Sequence, residues 1–231
     1  MFVVEKNPKS VAAEAYRTLK TNIQYSSVDK KYKSIVVTSA NPGEGKSTTA
    51  GNLALTLAEG EAKVLLIDCD MRKPSIHKNF KMTNNYGISE ILVQNKKVMD
   101  VAHKYNNNLH IITTGKIPPN PSEMLASKAM TLFLEEMKEH FDYVILDTPP
   151  LQAVADPQIL STKVDGTLLV IRSGKTKKDD VNNAISLLKK VNADIIGTIL
   201  HAVDKSKNKY YYYYGENKYN SLNNTLQIIM F

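Results

Sequence analysis

The chain has 231 residues, 42% of them hydrophobic and 23% charged, with a formal net charge of +7 that comes almost entirely from lysine. This length suits one large domain, or one domain with tails, and the composition is that of an ordinary globular protein. A single cysteine, Cys69, excludes an internal disulfide and a multi-cysteine metal site and fits a reducing cytosol. No apolar run approaches the roughly 18 residues of a membrane span, and no leader with a long apolar core is expected. The basic charge fits nucleic acid, an anionic membrane surface, a phosphate-rich ligand or simply a solvated lysine surface. Arginine occurs only at Arg17, Arg72 and Arg172, where a planar bidentate fork has a use that lysine cannot fill.

In chain order, Ser10–Ser26 reads as a helix capped by Ser10. A strand at Ser34–Ser39 runs into Ala40–Ser47 and then a helix to about Ala58. Lys63–Asp68 is a continuous apolar strand. Short helical pieces fill roughly Ser75–Tyr105, and a strand follows at Leu109–Thr114. A proline-rich loop (Pro118, Pro119, Pro121) leads into one helix over Ser122–His140, with Ser122 as its cap. Then come a strand at Tyr143–Asp147, a helix at Asp156–Lys163, a strand at Thr167–Arg172, a helix at Lys178–Asn192 and a last strand at Asp194–Val203. Apolar strands alternating with helices predict an α/β fold, a doubly wound, mostly parallel sheet with ligands at the carboxyl ends of its strands. The expected organisation is an N-terminal helix over 1–30, a nucleotide-binding domain over 31–203 and a flexible tyrosine-rich tail over 204–231. The final stretch Asn220–Phe231 is either a short docking segment or frayed chain.

Ala40-Asn-Pro-Gly-Glu-Gly-Lys-Ser47 lies between a strand and a helix, the setting a P-loop needs. Gly43 and Gly45 let the backbone turn tightly beside an anion. The loop amides, including those of Asn41, Glu44 and Thr48, are candidates to face phosphate. Lys46 would reach the β- and γ-phosphates, and Ser47 would ligate Mg2+. Ala40 stands where the first glycine is usual. Asp68 and Asp70 close the second strand and Asp147 closes another, so three carboxylates converge on Mg·ATP as candidate metal ligands, with one to spare as a base. Arg72 either clamps phosphate or pairs with a nearby carboxylate. Cys69 between two aspartates is a buried filler, because neighbouring carboxylates raise a thiol pKa.

Together these residues resemble the bacterial tyrosine kinases (BY-kinases) of capsule and exopolysaccharide biosynthesis, in their separate CapB/CpsD form. The resemblance is carried by Ala40–Ser47 as Walker A, Leu66–Arg72 (LIDCDMR) as the family's Walker A′, Ile145–Pro149 (ILDTP) as Walker B, Glu14–Ile23 and Pro118–Leu125 (PPNPSEML). It implies the MinD/ParA-like branch of P-loop NTPases and a tyrosine autokinase using ATP and Mg2+, with catalytic Lys46, Asp68, Asp70 and Asp147. Asp147 helps hold the metal through water, and Asp68 is a candidate base for the incoming tyrosine hydroxyl. It further implies a transmembrane activator or chain-length regulator that holds the kinase at the inner face of the plasma membrane. A ring-shaped homo-oligomer, a cognate tyrosine phosphatase and no nucleic-acid partner complete the expectation. The acceptor has its own case. Tyr210, Tyr211, Tyr212, Tyr213 and Tyr214 stand in a row among lysines and asparagines, and neighbours on a strand point to opposite faces, so they cannot share one core.

Glu14, Arg17 and Lys20 share one helix face. Either they form solvated intrahelical pairs or, as the resemblance implies, an intersubunit contact, with lysine at Lys20 where the family usually has arginine. His201 stands near the end of the last strand, where family members commonly have asparagine against adenine. Two rivals are a ParA/MinD-like positioning ATPase and an ATP-gated, non-catalytic scaffold of an export complex. The former places a signature lysine at the position of Asn41 and ends, in MinD-like proteins, in a basic amphipathic helix that Leu222–Phe231 lacks.

Overall fold

The computed structural model describes residues 2–26, 30–94, 96–203 and 225–230, the last as backbone only. In chain order the elements are α1 (Val3–Lys6), α2 (Val11–Tyr25), β1 (Ser34–Ser39), α3 (Lys46–Ala58), β2 (Val64–Asp68), α4 (Ile76–Asn79), α5 (Ile88–Gln94), α6 (Val98–Val101), β3 (His103–Lys104), β4 (Leu109–Ile112), α7 (Pro121–Ala126), α8 (Lys128–His140), β5 (Tyr143–Asp147), α9 (Asp156–Ser161), β6 (Gly166–Arg172), α10 (Lys178–Lys190), β7 (Ile195–Val203) and β8 (Thr225–Met230).

The strands form one sheet in the order β3-β4-β2-β5-β1-β6-β7-β8. The six from β4 to β7 are parallel, and β3 and β8 pair antiparallel at the two edges. All of β1 and β2 is buried. Because strand neighbours point to opposite faces, Ile35 and Val37 enter a core with α2 and α3, while Val36 enters another with α5, α7, α8 and α9. Leu169 of β6 extends the second face under Ala184 and Leu188 of α10. A sheet apolar on both faces and covered on both is the doubly wound arrangement predicted above.

Three features differ from expectation. The helix predicted over Ser122–His140 is two helices. Ser127 is extended (φ −60°, ψ 158°) and accepts from the Met130 amide at 3.2 Å, so it caps α8, while Pro121 opens α7. Ser122 therefore lies inside α7 rather than capping it. The N-terminal segment shares the core of the nucleotide-binding domain. Ala13, Tyr16, Leu19 and Ile23 of α2 are buried with α3 residues Ala50, Leu53 and Leu57, and the Asn52 side chain accepts from the Val4 amide at 3.2 Å. Helix α2 starts as expected, with the Ser10 hydroxyl accepting from the Ala13 amide at 3.2 Å. At the other end, Thr225–Met230 is a strand rather than frayed chain, pairing with β7 from Gly197↔Met230 to Val203↔Thr225. An uncovered edge of β7 offers a row of unpaired amides and carbonyls, and the run TLQIIM, rich in β-branched residues, suits it. The tyrosine run Tyr210–Tyr214 lies outside the described residues. Among the described residues no helix is long and apolar enough to cross a membrane.

The exposed charges of α2 and its buried face differ in energetic weight. Leu19→Ala, which opens a cavity under α3, is expected to cost about 2–5 kcal/mol, whereas Arg17→Ala costs roughly 1 kcal/mol or less because its ion pairs are exposed. Urea midpoints of the two variants check this ordering.

Candidate active site

The site lies at the carboxyl ends of β1, β2 and β5, the edge where open parallel sheets take ligands. Helix α3 begins directly after the P-loop, with Gly45 as its N-cap at φ +100° and Gly43 two residues earlier at φ +76°. Both angles fall in the left-handed region that a side chain disfavours. At Gly45 space forbids one as well, since a Cβ there would lie 2.4 Å from the His201 ring. The start of α3 thus presents unpaired amides to an anion.

Parallel register sets the acids. Asp147 pairs with Val37 across β1–β5 and with Asp68 across β5–β2, so the two carboxylates emerge side by side. Both are fully buried. Asp68 is held by three amides. Its Oδ1 accepts from Asp70 at 3.2 Å, and its Oδ2 accepts from Ser75 and Ile76 at 3.0 Å each. Burial nevertheless pushes its pKa up to about 6, those amides opposing the rise and Asp70 adding to it. Neither carboxylate oxygen of Asp147 has a hydrogen-bond partner among the described residues. Burial raises its pKa to about 8, Asp68 adds to the rise, and Lys46 and Ser47 oppose it. Lys46 Nζ lies 3.4 Å from Asp70 Oδ2, linking the P-loop to the end of β2. Burial and the surrounding carboxylates drive the Cys69 thiol well above its usual value, so it is inert filler, as expected.

An orphaned buried carboxylate beside the hydroxyl-bearing Ser47 and a lysine suits a hard, hydrated cation that keeps several of its waters. Among the described residues no three His, Cys, Asp or Glu side chains are grouped to hold a metal by themselves, so a cation here would depend on nucleotide oxygens and water. The residues present fit Mg·ATP on those terms.

Comparison with known proteins decides the class. The chain is 47% identical over 210 residues to the tyrosine-protein kinase YwqD of Bacillus subtilis (strain 168), covering 90% of this chain and 88% of that protein. It belongs to the bacterial tyrosine-protein kinase family. It is also 38% identical to the tyrosine-protein kinase CpsD of Streptococcus pneumoniae serotype 4, across 86% of this chain and 88% of the relative. Among solved structures, the kinase domain of the Escherichia coli tyrosine kinase Etk superposes with a TM-score of 0.85 at 34% identity, covering 94% of this chain and 85% of that one. The chimerical protein CapA2B2 superposes at 0.81 with 36% identity, covering 85% and 87%. A family model, ParA, described as "NUBPL iron-transfer P-loop NTPase", matches residues 30–231. A plasmid partition protein from Borrelia burgdorferi (24% identity, TM-score 0.63, 78% of this chain and 84% of that one) shares the fold alone.

In this kinase the structure sorts the residues singled out above. Lys46, Ser47, Asp68, Asp70 and Asp147 converge. Arg72 pairs with a carboxylate, one of the two readings given for it above. Its Nε and Nη2 grip Asp156 at 3.0 and 3.3 Å, and Nη2 also donates to Ser122 Oγ at 3.1 Å. Asp156 is fully buried and accepts from the Ser122 hydroxyl at 2.5 Å, so the fork is committed to a carboxylate. Thr48 is exposed. The carboxylate of Glu44 points back into its own loop, accepting from the Asn41 amide at 3.0 Å, which leaves only its backbone amide for phosphate. Glu14 and Arg17 pair within α2 at 3.0 Å, and Arg17 also reaches Glu59 at 3.4 Å. Lys20 donates to the Thr56 carbonyl at 3.3 Å near the end of α3. Within one chain this face thus pairs partly with itself and partly with the end of α3. Sequence reasoning missed Asp156. Its one signal was an acid directly before a proline at a helix start, after the Walker B strand.

The raised pKa of Asp147 has a direct consequence for the metal- and nucleotide-free protein. Folded Asp147 holds its proton more tightly than the unfolded chain does, so its contribution is intact below about pH 4 and is lost as pH rises towards about 8. Asp147→Asn should therefore be more resistant to urea than the parent, by a margin that widens from pH 5 to pH 8. A constant margin across that range would contradict this account of the site.

Proposed function

We propose that this kinase is an ATP-dependent tyrosine autokinase that transfers the γ-phosphoryl group to its own C-terminal tyrosines, Tyr210–Tyr214, between subunits, and so regulates capsular or extracellular polysaccharide synthesis or export. The observation that carries it is the convergence of Lys46, Asp68, Asp70 and Asp147 at one sheet edge in a chain whose relatives are tyrosine-protein kinases.

The P-loop amides and Lys46 bind the phosphates, with the ATP oxygens taking over the charge that Asp70 holds on Lys46 when the site is empty. Ser47, Asp147 and Asp70 would hold Mg2+ beside the phosphates, Ser47 through its hydroxyl and the two aspartates through their carboxylates. Bound Mg2+ neutralises charge on the phosphate oxygens. Asp68 is the base. Three amides fix its position, yet Oδ1 accepts only one of them and keeps a lone pair for the tyrosine proton. Burial raises its pKa and so makes it a stronger proton acceptor than an ordinary carboxylate.

A transmembrane activator, a ring built through the face of Glu14, Arg17 and Lys20, and a cognate phosphatase are proposed on the family resemblance. The likeness to the chimerical CapA2B2 structure supports the first. Each phosphotyrosine adds about −1.5 to −2 charge at neutral pH, enough for several to invert the charge of the lysine-rich tail and loosen a ring. The positioning-ATPase reading is disfavoured by Asn41, whose side chain is taken up by Asp180 at 3.1 Å where that class needs a free lysine.

Incubation of the full chain with Mg·ATP and its activator's cytoplasmic segment should place phosphate on Tyr210–Tyr214, as read by mass spectrometry. Lys46→Met and Asp147→Asn should each lower the signal by at least about a hundredfold. An unmodified tyrosine run in the parent chain would rule the autokinase out. DNA-stimulated hydrolysis without phosphotyrosine would favour the positioning ATPase.

A further inference from the structure

The end of β6, the loop after it and the first turn of α10 belong to none of the motifs discussed above, yet they make three polar contacts with the P-loop. Arg172 Nη1 donates to the Gly43 carbonyl at 2.8 Å. The Thr176 hydroxyl donates to Glu44 Oε1 at 2.6 Å, and its oxygen accepts from the Arg172 amide at 2.9 Å. Asp180 Oδ2 accepts from the Asn41 side-chain amide at 3.1 Å. Between these anchors, Glu44 Oε2 accepts from the Asn41 backbone amide at 3.0 Å. Glu44 is 2% exposed, so its carboxylate has left water inside a loop that must also receive the most highly charged part of a nucleotide.

A buried carboxylate beside a phosphate cradle is electrostatically unfavourable and persists only where its hydrogen bonds fix something of value. Here they fix backbone. Thr176 and the Asn41 amide grip the two oxygens of Glu44 from opposite sides, and this holds the loop across Gly43, whose left-handed φ the flexible glycine would otherwise leave freely. Arg172 pins the carbonyl of that same glycine.

We propose that Thr176 and Glu44, with Asp180 and Arg172 as outer anchors, are the positioning residues of the P-loop. They hold its amides in the phosphate-binding arrangement before nucleotide arrives, and none of their side chains touches phosphate. Asp180 extends the device to the segment that follows Asp147, because Gln152 Nε2 donates to the Asp180 carbonyl at 3.2 Å. The inference rests on nucleotide binding at the P-loop and is independent of where the phosphoryl group goes.

The test is calorimetric binding of Mg·ADP to the full chain. Thr176→Val keeps the shape of a half-buried side chain and removes the donor to Glu44. It should weaken Mg·ADP binding about tenfold, and raise KM for ATP by a similar factor with kcat little changed, as expected when binding common to ground and transition states is lost. Thr176→Ser restores the hydroxyl and should restore affinity. Glu44→Gln should reproduce the Thr176→Val defect, and the double variant should bind no more weakly than the worse single one. Parent-like affinity in Thr176→Val, failure of Thr176→Ser to rescue, or a loss that only follows a lowered urea midpoint would each overturn the proposal. Should Thr176→Val not fold, Asp180→Ala at the other end of the chain of contacts is read by the same binding measurement, and unchanged affinity there counts against it equally. Because Mg·ADP binding is measured without phosphotyrosine, failure of the autokinase reading leaves this result distinct.

Discussion

Two carboxylates buried side by side set the character of this molecule. Asp68 and Asp147 end adjacent parallel strands at the same register, and both are fully buried. Unpaired, such a pair opposes folding, because burial disfavours the ionised form and each charge disfavours the other. The surroundings answer the two differently. Asp68 takes three amides, while neither oxygen of Asp147 meets hydrogen-bond geometry among the described residues, although Ser47 and Lys46 stand near enough to oppose its rise in pKa. The asymmetry suits the two to the different roles proposed for them, Asp68 as a fixed proton acceptor and Asp147 as a group that a hydrated cation would complete. Asp70, one turn of chain from Asp68, holds Lys46 beside them in the meantime.

The rest of the architecture serves that edge. Helix α3 is buried from Thr49 to Ala58, so its N-terminus, and the P-loop with it, is fixed against the sheet. The packing of α2 on α3 ties the N-terminal segment to the nucleotide site. Tyr16 shows how closely, its phenol pushed up to about 12 by complete burial, with Thr49 and Asn52 of α3 partly opposing the rise. On the opposite face α9 and α10 bring Asp156 and Asp180 to the same end of the sheet, one to hold Arg72 and Ser122 and the other to hold Asn41. On β7, His201 packs on Gly45, and burial and nearby Arg172 lower its imidazole pKa. The β8 strand pairs beyond it and brings the chain back to β7 after the tyrosine-bearing segment.

The chemistry and the class of fold follow from local pattern. Glycines, lysine and serine between an apolar strand and a helix admit little besides a phosphate loop, and aspartates at strand ends in a parallel sheet must emerge beside it, since periodicity and crossover rules fix where strand ends lie. Which polar side chains spend themselves on the protein depends instead on long-range packing. Arg72 and Lys20 were legible as cations but not as the partners of Asp156 and the Thr56 carbonyl, because hydrogen-bond partners dozens of residues away leave no spacing to read. Glu44 read as a nucleotide contact because it stands within the motif, and burial turned it inward to Thr176, 132 positions along the chain. Helix breaks and edge strands fell between the two. Ser127 and Thr225–Met230 carry the right local propensities, but a cap needs the actual turn of the chain and a strand needs an open edge, and both are supplied only when the sheet is assembled.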